Sequence, residues 1–117
     1  MHIEADTLFR MLADTTRLRA LMLLQEKGEL CVCELTHALD LSQPKISRHL
    51  AQLRETELLL THRRGQWMYY RINPNLPEWA QTILQHTLTG NANAEPFRSD
   101  HRALKDMPNR PGAACCA

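Results

Sequence analysis

Apolar residues recur every three or four positions through the first half of the chain, which is the spacing of amphipathic helices. The pattern predicts four helices in this part of the chain, over residues 4–13, 14–28, 29–39 and from 42 through 53. Asp14 and Ser42 are suited to cap the second and fourth helices, and Gly28 is suited to end the second. Pro44 falls in the first turn of the fourth helix, where a missing N–H costs nothing.

After residue 57 the spacing changes to short apolar and aromatic runs, which are typical of strands. The pattern here predicts an antiparallel hairpin and then a last helix, over residues 58–63, 67–72 and 76–90. From residue 91 the periodicity stops and prolines interrupt the chain, which predicts a mostly disordered segment. The chain therefore divides into a folded domain, residues 1–90, and a flexible tail, residues 91–117, that ends in the pair Cys115 and Cys116.

Composition narrows the class of protein. The 117 residues are 44% hydrophobic, which suits one small folded domain. No run approaches the roughly 20 apolar residues of a membrane-spanning helix. The first residues also lack the basic and apolar segments of a signal peptide. We therefore expect a cytoplasmic protein with no membrane partner.

The formal net charge of +1 hides a gradient along the chain. Residues 1–40 carry seven acidic and four basic side chains, whereas residues 41–71 carry six basic and two acidic ones. Such an asymmetry is typical of a surface that binds a polyanion. A solvated surface that is locally basic would give the same count, so the charge needs a structural context.

The order of the predicted elements supplies that context. A short helix, a tight turn and a second helix that starts with small polar residues form a helix-turn-helix, and the basic hairpin would follow it as a wing. We therefore predict a mainly α fold with a small β-hairpin, a winged helix-turn-helix that binds double-stranded DNA. The predicted DNA-binding residues are Ser42, Gln43, Lys45, Ser47, Arg48 and His49 in the second helix, and Arg63, Arg64 and Gln66 in the wing. The alternative is an ordinary amphipathic helix with a solvated charged face.

The last helix offers a surface for a second copy of the chain. Trp79, Ile83 and Leu88 present more apolar surface than one short helix needs to bury within its own small domain. A homodimer would also suit a DNA-binding protein that reads two half-sites. Packing of this helix within its own chain is the alternative.

Cys31 and Cys33 stand at the predicted start of the third helix. On a regular helix two such side chains point about 200° apart, so both can bind one ion only at a frayed or distorted start. The helix dipole there is expected to lower the thiol pKa. Two or three sulfurs suit trivalent arsenic or antimony better than zinc, which takes four ligands. Ligation would disturb the helix next to the recognition helix and so oppose DNA binding. The alternative is that both are half-buried core residues.

Four segments together resemble the ArsR/SmtB family of metal-responsive transcriptional repressors, and its arsenic-responsive members above all. These segments are LADTTRL at 12–18, ELCVCEL at 29–35, LSQPKISRHL at 41–50 and RRGQWMYY at 63–70. The resemblance implies a homodimeric winged helix that is dimerised through its first and last helices. It also implies binding to the operator of an arsenic-resistance operon, with release when trivalent arsenic or antimony binds the thiolates of Cys31 and Cys33.

The sequence departs from this resemblance at one position. Arsenic-responsive members often carry a third Cys three residues after the second, where this chain has Thr36. His37 is a poor partner for trivalent arsenic, and we expect it to be a surface residue. Cys115 and Cys116 are further candidate ligands, although a long tail loses entropy in folding back, so we expect them to be dispensable.

The sequence is also compatible with other functions. The last helix has only His86 and Glu78 where zinc-sensing members have a fuller ligand set, which disfavours a zinc sensor. The same DNA-binding fold could use its thiols to sense redox state or another thiophilic metal. A small thiol-dependent reductase using Cys115 and Cys116 is a third hypothesis, but no general base or cofactor loop supports it. We expect no enzymatic activity and no catalytic cofactor.

Overall fold

The computed structural model describes residues 1–108. The described chain contains six helices and three strands. In chain order they are α1 (Ala5–Leu12), α2 (Thr15–Lys27), β1 (Glu29–Cys31), α3 (Val32–Leu39), α4 (Gln43–Glu55), β2 (Leu59–Arg64), β3 (Trp67–Ile72), α5 (Glu78–Asn91) and α6 (Phe97–Lys105). The first, second, fourth and fifth helices and the hairpin of the sequence prediction are confirmed, with ends shifted by one or two residues.

The predicted capping residues begin and end these helices. Asp14 accepts a hydrogen bond from the backbone N–H of Arg17 at 3.1 Å, and Ser42 Oγ accepts one from Lys45 N–H at 3.4 Å. Gly28 ends α2 with φ of 88°, a conformation that residues with a side chain rarely adopt. The start of α4 is therefore set by a capping residue that is visible in the sequence.

The third helix is shorter than predicted, because residues 29–31 form strand β1 instead of its first turn. This strand pairs antiparallel with β3, and the sheet order is β1-β3-β2. Leu30 and Cys31 are both buried under this pairing, which decides the conformation of a segment too short to show a period of its own. The prediction of a helix from residue 29 is wrong for these three residues.

The segment after residue 91 is not wholly disordered. Helix α6 packs against α2 and α3, and it buries Phe97 and Leu104 in the common core. The prediction of a mostly disordered tail is wrong for residues 97–105, because a few well-placed apolar side chains suffice to dock a short helix. Cys115 and Cys116 lie outside the described residues.

Helix α2 lies at the centre of the core. Four consecutive residues, Leu21 to Leu24, are buried, because α1, α3, α4, α5 and α6 all pack around this helix. Helices α3 and α4 thus rest on one common support. Among residues 1–108, no helix is long and apolar enough to span a bilayer.

Candidate functional site

Cys31 joins strand β1 to helix α3. It is the N-cap of α3, with an extended backbone, and its side chain is 1% exposed. Its Sγ accepts from the backbone N–H of Glu34, while its own N–H donates to Glu34 Oε1 at 3.0 Å. These two reciprocal contacts form a capping box in which a thiol replaces the usual hydroxyl. The sulfur of Cys31 is therefore part of the structure that starts α3.

The acidity of this thiol differs from the sequence prediction. Burial raises the pKa of Cys31 above its ordinary value, and hydrogen bonds from Cys33 and from the Glu34 N–H only partly offset this effect. The expectation that the helix dipole would lower the thiol pKa is wrong for Cys31, because removal from water outweighs it. Burial of Cys31 therefore favours its protonated form.

Cys31 and Cys33 both line one cleft of about 580 Å³. Its lining residues come from the start of α3, from α4 and from the hairpin of β2 and β3; they are Cys31, Val32, Cys33, Thr36, His37, Gln43, Gln66, Trp67 and Met68. Gln43 is the first residue of α4, and Gln66 lies in the turn of the wing. A ligand on the thiols would therefore lie beside both predicted DNA-binding elements.

The position of the missing third cysteine is engaged within the helix. The hydroxyl of Thr36 donates to the carbonyl oxygen of Val32 at 2.8 Å. His37 is exposed, as predicted, and it also lines the cleft. Within residues 1–108, no three His, Cys, Asp or Glu side chains gather into a metal-binding group. The described part of the cleft therefore offers two thiol ligands.

Most of the predicted DNA-binding side chains lie on the surface. Helix α4 follows α3 through a tight turn in which Asp40 is left-handed, with φ of 54° and ψ of 48°. The exposed candidates on α4 and the wing are Ser42, Gln43, Lys45, Arg48, Arg63, Arg64 and Gln66, whereas Ser47 is half-buried. The wing turns at Gly65, which has φ of 60° as the first residue of a two-residue hairpin loop.

His49 is the exception among these candidates. Its side chain is 12% exposed, and its Nδ1 is buried 3.9 Å from a carboxylate oxygen of Asp14, the cap of α2. The expectation that His49 faces outward is wrong, because its position on α4 points toward the supporting helix. This side chain lies between α4 and α2, with its Nδ1 turned toward Asp14.

Sequence reasoning missed Glu29. Because residues 29–31 form a strand, the Glu29 carboxylate reaches two side chains of β2: Oε1 pairs with Arg64, and Oε2 lies 3.1 Å from His62 Nδ1. The Arg64 guanidinium also lies over the ring of Tyr69, 4.6 Å from its centroid. A strand prediction for residues 29–31 would have been the only signal for these contacts.

A three-stranded sheet behind a helix-turn-helix, with a basic hairpin beside the recognition helix, defines a winged helix-turn-helix regulator. Residues 14–59 match the family model described as bacterial regulatory protein, arsR family. The arsenic resistance transcriptional regulator ArsR2 of Pseudomonas putida is 52% identical over 116 residues, which cover 97% of this chain and 99% of that relative. The chain therefore belongs to the ArsR family of bacterial regulatory proteins.

Solved structures agree with this assignment. HlyU from Vibrio cholerae superposes with a TM-score of 0.68 at 30% identity, over 75% of this chain and 91% of HlyU. The AntR antimony-specific transcriptional repressor superposes with a TM-score of 0.61 at 33% identity, over 75% of this chain and 77% of AntR. The predicted family and the winged helix-turn-helix fold are thus confirmed.

Proposed function

We propose that this chain represses an arsenic-resistance operon and leaves its operator when trivalent arsenic or antimony binds Cys31 and Cys33. The observation that carries the proposal is the cleft that joins both thiols to Gln43 of the recognition helix and Gln66 of the wing. The similarity to ArsR2 and to the antimony-specific AntR supports the choice of a metalloid as inducer.

The chemistry of the ligand fits the thiol pair. Trivalent arsenic and antimony are soft and thiophilic, and each condenses with a thiol by exchanging a bound hydroxyl for sulfur with release of water. Cys31 and Cys33 supply two such thiols on one wall of the cleft. A third position on the metalloid remains for a hydroxyl or for a sulfur outside residues 1–108, and we propose that Cys115 and Cys116 are dispensable for the response.

Ligation would act on the start of α3. The Cys31 sulfur that binds the metalloid is the same atom that accepts from the Glu34 N–H and caps the helix. Bringing the sulfur of Cys33 beside it requires the first turn of α3 to distort, because neighbouring sulfurs at this spacing diverge on a regular helix. Loss of a cap costs about 1 kcal/mol, so the ligated and capped states of this turn compete.

The distortion is passed on to the DNA-binding face. Helix α3 is followed by α4 after only three residues, and the cleft places Gln43, Gln66 and the thiols around the same space. A metalloid in the cleft therefore favours a different arrangement of α4 and the wing. By thermodynamic linkage, DNA must weaken metalloid binding by the same factor.

Operator binding is proposed to use the exposed polar residues of α4 and the wing. We assign base contacts to Gln43 and Arg48 and phosphate contacts to Ser42, Lys45 and Ser47, because these side chain types suit such partners. Arg63, Arg64 and Gln66 would contact the adjacent backbone. His49 is left out of this set because its side chain is turned toward Asp14.

A homodimer is part of the proposal. Phe9 of α1 is 53% exposed and Trp79 of α5 is 40% exposed, which is unusual for large apolar side chains. Ile83 and Leu88 instead pack partly against the chain's own core, so they contribute less free surface than the sequence suggested. A dimer through α1 and α5 would cover Phe9 and Trp79. It would also relate the two recognition helices by a two-fold axis.

The test is a DNA release experiment on the full-length reduced protein. A fluorescent duplex selected by the wild type from random-sequence DNA is bound, and arsenite is added while anisotropy is followed. We expect a saturable loss of affinity that C31S and C31S/C33S abolish. Thr36→Ser, a matched change in the same cleft, and the double variant C115S/C116S should respond as the wild type does.

Two results would overturn parts of the proposal. Normal release from the C31S/C33S variant would show that the inducer site is elsewhere. Release by zinc or peroxide but not by arsenite or trivalent antimony would assign these thiols to another metal or to redox sensing.

A further inference from the structure

One face of the sheet carries both Cys31 and Arg64, one of the two arginines next to the turn of the wing. Glu29 and Cys31 are two residues apart on β1, so their side chains point to the same face, about 7 Å apart along the strand. In register across the sheet, Cys31 faces Tyr69 of β3, which in turn faces His62 of β2. A movement of Cys31 therefore acts first on the side chains beside it in this row, those of Tyr69 and His62.

Glu29 reaches over the central strand to the far edge of the sheet. Its carboxylate, 24% exposed, pairs with Arg64 through one oxygen and lies 3.1 Å from His62 Nδ1 through the other. Strands β1 and β2 are not neighbours, because β3 lies between them. This carboxylate thus links the two outer strands of the sheet directly.

The ring of Tyr69 is the platform beneath this link. His62 stacks on it with ring centroids 5.7 Å apart and planes at 18°, and the Arg64 guanidinium lies 4.6 Å above its centroid. A guanidinium has five N–H donors, and the pair with Glu29 engages Nη2. Arg64 is thus fixed in direction, while its side chain is still 61% exposed.

We propose that Glu29 is the positioning residue of the wing: it ties Arg64 to the strand that ends at the sensor thiol. Movement of β1 when Cys31 takes a metalloid then shifts Arg64 away from the DNA backbone. The inference rests on the proposed function, since it needs a metalloid on Cys31 and a DNA contact from Arg64. An exposed ion pair contributes little to the free energy of unfolding. The effect of this pair is therefore to orient the Arg64 side chain.

The experiment measures coupling instead of affinity alone. For each variant the coupling factor is the DNA dissociation constant with saturating arsenite divided by that without it, and arsenite binding is followed separately by sulfur–arsenic absorbance. The variants are Glu29→Gln, Arg64→Met, the double variant, and Glu55→Gln. The last removes the same charge from an exposed position at the end of α4, away from the wing.

We expect arsenite to weaken DNA binding of the wild type by a factor within about 5 to 150. E29Q and R64M should each lower this factor by about threefold or more while arsenite still binds, and the double variant should lower it no further. E55Q should keep the wild-type factor, although its affinity for DNA can rise. This non-additivity is the signature of two residues that act through one contact.

The inference is overturned if E29Q keeps the wild-type coupling factor, if the effects of E29Q and R64M multiply, or if E29Q loses arsenite binding. Should E29Q fail to fold, R64M decides alone, since an unchanged factor in that variant removes Arg64 from the path. A wild type that shows no coupling at all would instead refute the proposed function.

Discussion

Asp100, in the first turn of α6, accepts two hydrogen bonds from the guanidinium of Arg19 in α2, at 2.8 Å from Nε and 2.7 Å from Nη2. The same Nη2 donates to the carbonyl oxygen of Leu39 at 3.2 Å. Leu39 is the last residue of α3. The Arg19–Asp100 ion pair is therefore bonded to the C-terminal end of α3, the end away from Cys31 and Cys33. These contacts oppose sliding of α3 along its axis.

Replacing Asp100 by Asn should destabilise the fold by about 2–3 kcal/mol, because the Arg19 charge would lose a buried carboxylate that binds it at two points. Asp106→Asn makes the same chemical change at an exposed position just after α6 and should stay within about 0.5 kcal/mol of the wild type. Urea unfolding of both variants measures the difference. Equal unfolding free energies for the two would show that α6 is not held by this pair.

The sequence predicts the helices and caps that depend on residues close together in the chain. Asp14 and Ser42 cap helices whose apolar spacing is visible in the chain, and the thiols of Cys31 and Cys33 stand at a helix start as expected. Strand β1 was missed because three residues carry no period, and only pairing with β3 makes them a strand.

Contacts between distant segments account for the other differences. Helix α6 was missed because its burial depends on a groove formed by α2 and α3. The contact between His49 and Asp14, and that between Glu29 and Arg64, join residues 35 positions apart in the chain. The spacing of apolar residues along one helix gives no information about such pairs. The burial of His49 and the contacts of Glu29 can therefore be seen only in the folded structure.

The Asp14 cap should make stability depend on pH. Burial acts to raise the pKa of this carboxyl, but the hydrogen bond from the Arg17 N–H and the charges of His49 and Arg17 bring it below its ordinary value. A carboxyl with a lowered pKa in the folded state stabilises the fold above its unfolded pKa, and this contribution disappears as the pH falls through the folded value.

Asp14→Asn tests this charge, since Asn remains a good cap. The variant should be less stable than the wild type at pH 7, and the difference should disappear as the pH falls through the lowered folded-state pKa of Asp14, when the carboxyl becomes protonated in both states. Thermal unfolding across this range gives the comparison. A constant difference at all pH values would mean that shape, and not charge, explains the effect.

The raised pKa of Cys31 predicts that arsenite and a divalent cation differ in the pH dependence of their binding. Condensation of this protonated thiol with a hydroxyl of arsenite releases water and no net proton, so arsenite affinity should stay nearly level between pH 6 and 8. A divalent cation must displace the thiol proton, so its affinity should rise about tenfold per pH unit for each such thiol. Competition titrations with arsenite and zinc at several pH values distinguish the two. A steep fall in arsenite affinity with rising pH would contradict a protonated Cys31, because condensation of a thiolate takes up one proton.

The wing should contribute to the salt dependence of DNA binding. Arg63 is exposed in β2 next to the turn, and its proposed phosphate contact would release condensed counterions on binding. In a dimer Arg63→Met removes two such contacts, so the slope of log affinity against log salt should become shallower by about 1.8. Lys105→Met removes a charge from α6 and serves as the control, because this exposed residue lies outside the proposed interface. If both variants change the slope equally, the effect belongs to net charge and not to a wing placed on the DNA backbone.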